Sequence, residues 1–234
     1  GGSRGIGAGL SRRFAAAGSN VVMAYRSDTV AAERLAGELA GGEAQCLAVQ
    51  ADVSNADDID HLVATTVERF GKVDVLVNCA AIAPYRPLGQ LDAQFIRSMF
   101  DTNVTGLMLL IQASVPYMPV TGGRIINFSS ALAFRPIPTS SVYAASKGAV
   151  VTLTHALAKE LGSKGITVNA VAPGVIETEM TTNILAERGS QILAATPLAR
   201  IGQPDDIAGI VMFLASADAG WITGRTIIAD GGVT

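Results

Sequence analysis

A tyrosine and a lysine stand four residues apart in the segment VYAASKGA, at Tyr143 and Lys147. In a helix this spacing puts both side chains on one face, about 6 Å apart along the axis. A free phenol has a pKa of about 10, and a neighbouring ammonium favours the phenolate and lowers that pKa. The pair is therefore a candidate for proton exchange near neutral pH.

Ser130 is the third residue of this candidate site. The strand-like segment RIINF at 124–128 runs directly into Ser129 and Ser130, and Tyr143 follows at the start of a predicted helix. A hydroxyl at the carboxyl edge of a strand can meet a tyrosine of the following helix above the sheet. Together, the two hydroxyls could hold a carbonyl oxygen for hydride attack.

The elements that must position these residues alternate along the chain. Short apolar segments predict strands at 20–25, 44–50, 73–78, 124–128, 166–172 and 225–230. Helical patterns follow the opening glycines up to Gly18 and recur at 28–40, from a Ser54 cap to about 70, at 92–118 and at 143–161. Gly41 and Gly42 are predicted to end the second helix, and Pro204 to begin the last. Strands apolar enough to be covered on both faces predict an α/β fold. We expect a single-domain, Rossmann-like, doubly wound parallel sheet with helices on both faces over residues 1–234.

The chain opens with GGSRGIG, a Gly-x-x-x-Gly-x-Gly pattern. Such a turn lets backbone amides approach a pyrophosphate at a helix N-terminus. The turn needs a strand before it, so we expect about one strand's length, roughly 5–6 residues, ahead of Gly1. The predicted cofactor contacts in this stretch are Gly1, Ser3, Arg4, Gly5, Ile6 and Gly7.

The first strand ends Ala24-Tyr25-Arg26-Ser27. NAD-binding sheets commonly place an acidic residue at this tip to hold the ribose 2′-hydroxyl. Here Arg4, Arg26 and Ser27 suit a 2′-phosphate instead, because a guanidinium donates two parallel hydrogen bonds to phosphate oxygens. The prediction is NADP (NADPH) rather than NAD. The alternative for Arg26 is an ordinary solvated loop residue.

Four motifs in order extend this interpretation: GGSRGIG, NCAA after a strand, SS followed by YAASK, and VNAVAPGVIET. This set resembles the short-chain dehydrogenase/reductase family over essentially the whole chain. The resemblance implies an enzyme, usually a dimer or tetramer, that reduces carbonyls or oxidises alcohols with NAD(P).

The resemblance also implies a role for each residue of the site. Tyr143 would be the general acid in reduction, and Lys147 would lower its pKa and bind the nicotinamide ribose. Ser130 would position the carbonyl, and Asn103 would hold a water in the proton relay. The alternative for Asn103 is a polar residue that satisfies backbone groups at a helix kink. Further implied cofactor contacts are Asp52, Val53, Asn78, Ala80, Pro173, Gly174, Ile176 and Thr178. Ala81 departs from the family's usual glycine.

Several substrate classes share this outline. The resemblance is closest to 3-oxoacyl-carrier-protein reductases and to sugar-alcohol or glucose dehydrogenases, and NADP favours the reductive role. Leu132, Phe134 and Ile137 near the reacting centre predict a mostly apolar small molecule rather than a free sugar. Residues 180–200 are predicted to form a lid over it, with a floppy surface loop as the alternative. The rival class is a non-catalytic NADP-binding sensor or assembly subunit.

The net charge and the cysteine content limit the classes of partner and the compartment that we expect. The net charge of −3 gives no electrostatic reason to expect nucleic acid or an anionic membrane surface. No apolar run approaches the roughly 20 residues of a membrane span. Cys46 and Cys79 lack the spacing of metal ligands, and the sequence shows no cluster of His, Asp and Glu that would predict a metal site. Two cysteines without a disulfide framework best fit a protein of the reducing cytoplasm.

Overall fold

The computed structural model describes residues 1–40 and 44–234. Its strands are β1 (Val21–Tyr25), β2 (Cys46–Gln50), β3 (Val75–Asn78), β4 (Arg124–Phe128), β5 (Thr167–Pro173) and β6 (Thr226–Ala229). Its α-helices are α1 (Gly5–Ala16), α2 (Thr29–Leu39), α3 (Ala56–Phe70), α4 (Ala93–Phe100), α5 (Gly106–Ser114), α6 (Ser141–Leu161), α7 (Thr182–Ala195) and α8 (Pro204–Ala215). The predicted breaker at Gly41 and Gly42 lies outside the described residues.

Every strand pair is parallel. β1 pairs with β2, and β3, β4, β5 and β6 follow one another in a second sheet. The opening residues run between the two sheets: the Gly2 N–H donates to the Ala24 carbonyl of β1 at 3.0 Å, and a Cβ on Gly1 would lie 3.0 Å from the Ala80 backbone after β3. Because parallel strands share a carboxyl edge, the loops after β1, β2, β3 and β4 converge there.

Helices cover both faces of the sheet formed by β3 to β6, as predicted. Side chains alternate along β4, so Ile126 and Phe128 pack with α1 and α8 on one face. Ile125 points to the other face and packs with Leu107 of α5 and Val150 of α6. This two-sided burial explains why the strands read as continuous apolar runs. Among the described residues, no helix combines the length and apolar character that a bilayer crossing requires.

The strand predictions are accurate to within two residues at each end, but the long helix predicted over 92–118 is not continuous. α4 ends at Phe100, a π-helical turn spans Asp101–Thr105, and α5 then continues to Ser114. The widened turn carries the buried side chain of Asn103, whose hydrogen bonds are described below. One widened turn leaves the helix running in the same direction, so the spacing of apolar residues along the sequence does not reveal it.

Two further predictions are corrected. The cap of α3 is Asn55, whose side chain accepts from the Asp57 N–H at 2.9 Å. Ser54, the predicted cap, instead donates its hydroxyl to Asp52 Oδ1 at 2.7 Å. Residues 180–200, predicted to be a lid with a floppy surface loop as the alternative, contain the helix α7, which has no fully buried residue. Its two Ile-Leu pairs, at 184–185 and 192–193, are separated by Arg188 and Gly189, which interrupt the apolar repeat of a helix.

Candidate active site

Ser130, Tyr143 and Lys147 come together where β4 ends and α6 begins. Ser130 is buried and caps a short 3₁₀ turn, accepting from the Leu132 N–H at 3.2 Å. Tyr143 and Lys147 share one face of α6, and Lys147 Nζ lies 5.8 Å from the centre of the Tyr143 ring. The predicted pairing on one helix face is therefore present in the structure.

Lys147 ties α6 to the end of β4. Its side chain is 2% exposed, and Nζ donates to the Phe128 carbonyl at 2.8 Å. The Ser129 hydroxyl forms a second hydrogen bond between these two elements by donating to the Lys147 carbonyl at 2.9 Å. Burial lowers the pKa of Lys147 to about 8, because desolvation penalises the ammonium form.

The pKa of Tyr143 moves opposite to the prediction. Burial first and Tyr85 second raise it, the Ser130 side chain opposes the rise, and the resulting pKa is about 12. The predicted lowering by Lys147 is wrong for this structure, because the ammonium donates to a carbonyl and the phenol is desolvated. Tyr143 is thus a protonated donor at neutral pH.

Asn103 bonds two parts of the site to each other. Its amide exchanges two hydrogen bonds with the Ile82 backbone in the loop after β3, both at 2.9 Å. It also donates to Ser146 Oγ at 3.1 Å, and that hydroxyl donates to the Tyr143 carbonyl at 2.7 Å. The alternative prediction, a polar residue satisfying backbone at a helix irregularity, matches this geometry. The water-holding role remains a prediction.

A pocket opens at the carboxyl edge beside the first turn of α1. Its lining includes eight residues predicted to bind the cofactor: Gly1, Ser3, Arg4, Arg26, Ser27, Asp52, Val53 and Ala80. Tyr25, Asp28, Ala51, Ala81, Ile82 and Thr102 complete the lining. The lining comes from the turn before α1, from the ends of β1, β2 and β3 with the loops that follow them, and from Thr102 in the π-helical turn, all of which meet at the carboxyl edge of the sheet.

The other predicted cofactor contacts do not line this pocket: Gly5, Ile6, Gly7, Asn78, Tyr143, Lys147, Pro173, Gly174, Ile176 and Thr178. Gly7 is packed so closely that a Cβ would lie 1.8 Å from the Gly1 carbonyl oxygen. A Cβ on Gly5 would lie 3.1 Å from Thr178 Cγ2. Asn78 donates to Asn127 Oδ1 at 2.9 Å inside the protein, and Ile176 is buried in the core. Pro173 ends β5, and a Cβ on Gly174 would lie 2.7 Å from Asp230 Cβ.

Arg4 has carboxylate partners that sequence reasoning missed. Its guanidinium donates to Glu179 Oε2 at 3.1 Å and lies 3.8 Å from Asp28 Oδ2. Glu179 directly follows Thr178 and immediately precedes the segment 180–200 that is predicted to be a lid. No local signal could have found this pair, because the two residues are 175 positions apart.

Other residues of the site were also missed. The Ser129 hydroxyl donates to the Lys147 carbonyl, and the Ser146 hydroxyl donates to the Tyr143 carbonyl, both on α6. The Tyr85 ring packs on the Tyr143 ring with centroids 5.8 Å apart. The sequence signal for these two serines was that each is next to a predicted site residue, Ser129 to Ser130 and Ser146 to Lys147. In the described part of the chain, no group of three or more His, Cys, Asp or Glu side chains could hold a metal ion.

Comparisons with known proteins agree over the full length. The model of a family described as enoyl-(acyl carrier protein) reductase matches residues 1–234. A 3-oxoacyl-[acyl-carrier-protein] reductase of Synechocystis is 42% identical, over 100% of this chain and 94% of the relative. The chain is also similar to a blue fluorescent protein from a metagenomic library, solved with NADPH. That structure has a TM-score of 0.95 and 39% identity, over 100% of this chain and 95% of that one.

A Brucella melitensis short-chain dehydrogenase/reductase, described as glucose/ribitol dehydrogenase, superposes with a TM-score of 0.95 at 34% identity. The match covers 100% of this chain and 94% of that one. The parallel sheet, the converging Ser130, Tyr143 and Lys147, and these full-length matches lead to one conclusion. The chain belongs to the short-chain dehydrogenase/reductase family and is an NAD(P)-dependent oxidoreductase.

Proposed function

We propose that this enzyme reduces the keto group of 3-oxoacyl thioesters with NADPH. One observation carries the proposal: a protonated, buried phenol lies beside Ser130 and Lys147 at the same sheet edge as a pocket lined by two arginines. The relative with 42% identity bears the name of a 3-oxoacyl-[acyl-carrier-protein] reductase. That name supports the choice among carbonyl substrates.

The residues present fit an NADP-type dinucleotide. The pocket lies at the carboxyl edge, next to the N-terminus of α1, where backbone N–H groups favour a pyrophosphate. Arg4 and Arg26 both line it, and residues 26 and 27 after β1 are not acidic. Asp28, the carboxylate near that tip, is paired with Arg4. When bound, the cofactor supplies the hydride.

The protein's own groups supply position and a proton. Tyr143 remains protonated at neutral pH and donates its proton to the carbonyl oxygen, while Ser130 hydrogen-bonds that oxygen. Lys147 Nζ lies 5.8 Å from the centre of the Tyr143 ring, and its hydrogen bond to the Phe128 carbonyl holds α6 on the end of β4, so Lys147 positions the phenol. Asn103 and Ser146 hold the first turn of α6, and therefore Tyr143, against the loop after β3.

The environment of Ser130 favours an apolar substrate. The 3₁₀ turn that it caps carries the apolar Leu132, whereas Phe134, which follows, lines a separate cavity with Val151 and His155. A sugar would require more hydrogen-bonding groups at this position. The second candidate is a sugar or polyol dehydrogenase, which the Brucella structure described as glucose/ribitol dehydrogenase favours. A non-catalytic NADP-binding sensor is disfavoured because the Ser130, Tyr143, Lys147 and Asn103 set is complete.

The proposal extends to assembly and compartment. We expect a homodimer or homotetramer, the usual assembly in this family, with the fully exposed Trp221 before the last strand as a candidate subunit contact. The expected compartment is the cytoplasm, where a reduced thiol pool suits the free Cys46 and Cys79. Gel filtration with light scattering would measure the assembly directly.

The deciding experiment is the initial rate of NADPH oxidation with an acetoacetyl thioester, measured beside NADH. Turnover with NADPH and little with NADH is the expected result. Arg26→Ala should raise the KM for NADPH about tenfold, the effect of losing a charged hydrogen bond. The matched control is Arg34→Ala, an exposed α2 arginine paired only with Glu38 among the described residues.

Two outcomes would contradict the proposal. Turnover of glucose or ribitol by the oxidised cofactor, without thioester reduction, would establish the second candidate. Binding of NADPH without turnover of any carbonyl or alcohol would support the sensor class.

A further inference from the structure

Tyr85 covers one side of the catalytic phenol. It lies in the loop after β3, and its ring packs against the Tyr143 ring with centroids 5.8 Å apart and planes tilted by 53°. Tilted aromatic pairs at this separation are favourable contacts rather than chance neighbours. The Tyr85 residue is 37% exposed, so one part of it touches Tyr143 and another faces solvent.

The loop that carries Tyr85 is anchored on its N-terminal side. The Ile82 N–H and carbonyl both bond to the Asn103 side chain at 2.9 Å. Pro84 then restricts the backbone immediately before Tyr85. The path into Tyr85 is therefore held by the same Asn103 that bonds Ser146 on α6.

Arg86 anchors the other side. Its N–H donates to the Thr139 carbonyl at 3.1 Å in the segment that leads into α6. Its guanidinium forms an ion pair with Asp92 Oδ2 at 2.9 Å and lies 4.4 Å over the Phe95 ring. Tyr85 is thus fixed between two anchored neighbours, so its contact with Tyr143 is a defined part of the site.

A carbonyl oxygen that reaches Tyr143 must approach from a side that Tyr85 leaves open. The substrate group next to that carbonyl then lies along the Tyr85 ring. A flat aromatic surface makes close contact with an unbranched chain, and a branch beside the carbonyl would collide with it. Aromatic walls with a few polar groups are typical of small-molecule pockets.

We propose that Tyr85 is a specificity-determining residue whose ring forms the wall of the carbonyl pocket beside Tyr143 and selects substrates unbranched next to the carbonyl. This inference rests on the proposed carbonyl reduction at Tyr143. It adds a residue that none of the motifs contains.

The test compares kcat/KM for 2-methylacetoacetyl and acetoacetyl thioesters in the parent, Tyr85→Ala and Tyr85→Phe. Removing the ring should raise the ratio of branched to unbranched substrate by about tenfold, the usual scale for opening a pocket by a few carbons. Tyr85→Phe should keep the parent ratio, because the ring remains. Tyr117→Ala removes a tyrosine that is 44% exposed after α5 and serves as the matched control.

A second readout does not depend on the substrate. In cofactor-free protein, the near-ultraviolet absorbance of phenolate is titrated with and without Tyr143→Phe, which isolates Tyr143 among the four tyrosines. Tyr85→Ala should admit water and move the pKa of Tyr143 down from about 12 towards its ordinary value of 10. Tyr85→Phe removes the electrostatic effect of the Tyr85 phenol but keeps the ring, so the difference in the pKa of Tyr143 between Tyr85→Ala and Tyr85→Phe reports the lost cover.

An unchanged substrate ratio in Tyr85→Ala would overturn the inference, as would an unchanged pKa of Tyr143. If the parent reduces neither thioester, the proposed function has failed. In that case the titration and a pair of branched and unbranched simple ketones still decide the role of Tyr85.

Discussion

Burial acts on Tyr143 and Lys147 in opposite directions, because it penalises the charged form of each group. It raises the phenol pKa to about 12 and lowers the ammonium pKa to about 8. At neutral pH the phenol is therefore protonated and the lysine charged, which is the state that carbonyl reduction needs. The Lys147 bond to the Phe128 carbonyl keeps the charge in place.

Tyr143→Phe should abolish most turnover and spare NADPH binding. The phenylalanine keeps the ring packed against Tyr85 but has no proton to donate, so kcat should fall about 10²- to 10⁴-fold, the usual contribution of a general acid. The measurement is the steady-state rate together with NADPH fluorescence titration. Equal activity of parent and variant would remove Tyr143 from the mechanism.

The lowered pKa of Lys147 predicts how stability depends on pH. Between about pH 8 and 10 the unfolded chain binds a proton, because its lysine pKa is 10.5, and the folded protein does not. The free energy of unfolding should therefore rise with pH in this window, by at most about 1.4 kcal/mol per pH unit. Above pH 10 the raised pKa of Tyr143 acts in the opposite direction.

Denaturant unfolding of the cofactor-free protein at several pH values would check this rise. Lys147→Met should lack it, and Lys159→Met, which changes an exposed lysine of the same helix, should retain it. Parallel stability curves for the parent and Lys147→Met would show that the folded lysine titrates normally.

At the scale of elements, the π-helical turn between α4 and α5 gives Asn103 its position. Two of its hydrogen bonds hold Ile82 in the loop after β3, and a third reaches Ser146 on α6. Three elements that carry the site are thus joined through one buried amide.

Asn103→Ala should destabilise the protein by about 1–3 kcal/mol, because it leaves the Ile82 N–H and carbonyl without partners. Urea unfolding monitored by circular dichroism would measure the loss. Asn183→Ala, at an exposed position of α7, is the control and should stay within about 0.5 kcal/mol of the parent. A similar loss in both variants would mean that the hydrogen bonds of Asn103 do not add to the free energy of unfolding.

At the scale of the whole molecule, the helical layer packs closely against the loop after β2. A Cβ on Gly106, the first residue of α5, would lie 2.1 Å from the Val53 carbonyl oxygen. Val53 also lines the candidate cofactor pocket. The packing of α5 and the shape of that pocket are therefore coupled at this glycine.

Gly106→Ala should cost about 1–3 kcal/mol of stability, because the layers must separate to admit the methyl group. It should also weaken NADPH binding through the shift of Val53. Gly148→Ala on α6 is the matched control: nothing lies within 4 Å of its added Cβ. Its expected effect is a gain of about 0.5–1 kcal/mol. Thermal melts and NADPH titration of both variants would separate these outcomes, and equal behaviour would contradict the coupling.

The alternation of apolar strands and helices along the chain was enough to predict the parallel sheet with two covered faces and the meeting of Ser130, Tyr143 and Lys147 at its edge. Apolar strands alternating with helices are a local pattern, and residues after successive parallel strands meet at one edge wherever such a sheet forms. Of the eight predicted residues that line the cofactor pocket, those of the opening turn and of the end of β1 were predicted from the residues themselves, whereas Asp52, Val53 and Ala80 came from the family resemblance. The π-helical turn was missed because one widened turn leaves the helical pattern in place, and α7 because Arg188 and Gly189 interrupt the apolar repeat between its two Ile-Leu pairs.

The hydrogen-bond partners and the charge states of the site residues depend on how the elements pack in three dimensions. The Arg4–Glu179 pair, the Asn103 bonds to Ile82 and Ser146, and the packing of Tyr85 on Tyr143 join residues that are distant along the chain. The pKa values of Tyr143 and Lys147 follow from burial, which depends on everything packed around α6. Spacing along a helix placed the two groups side by side, but the free energy of desolvation set the direction of each shift.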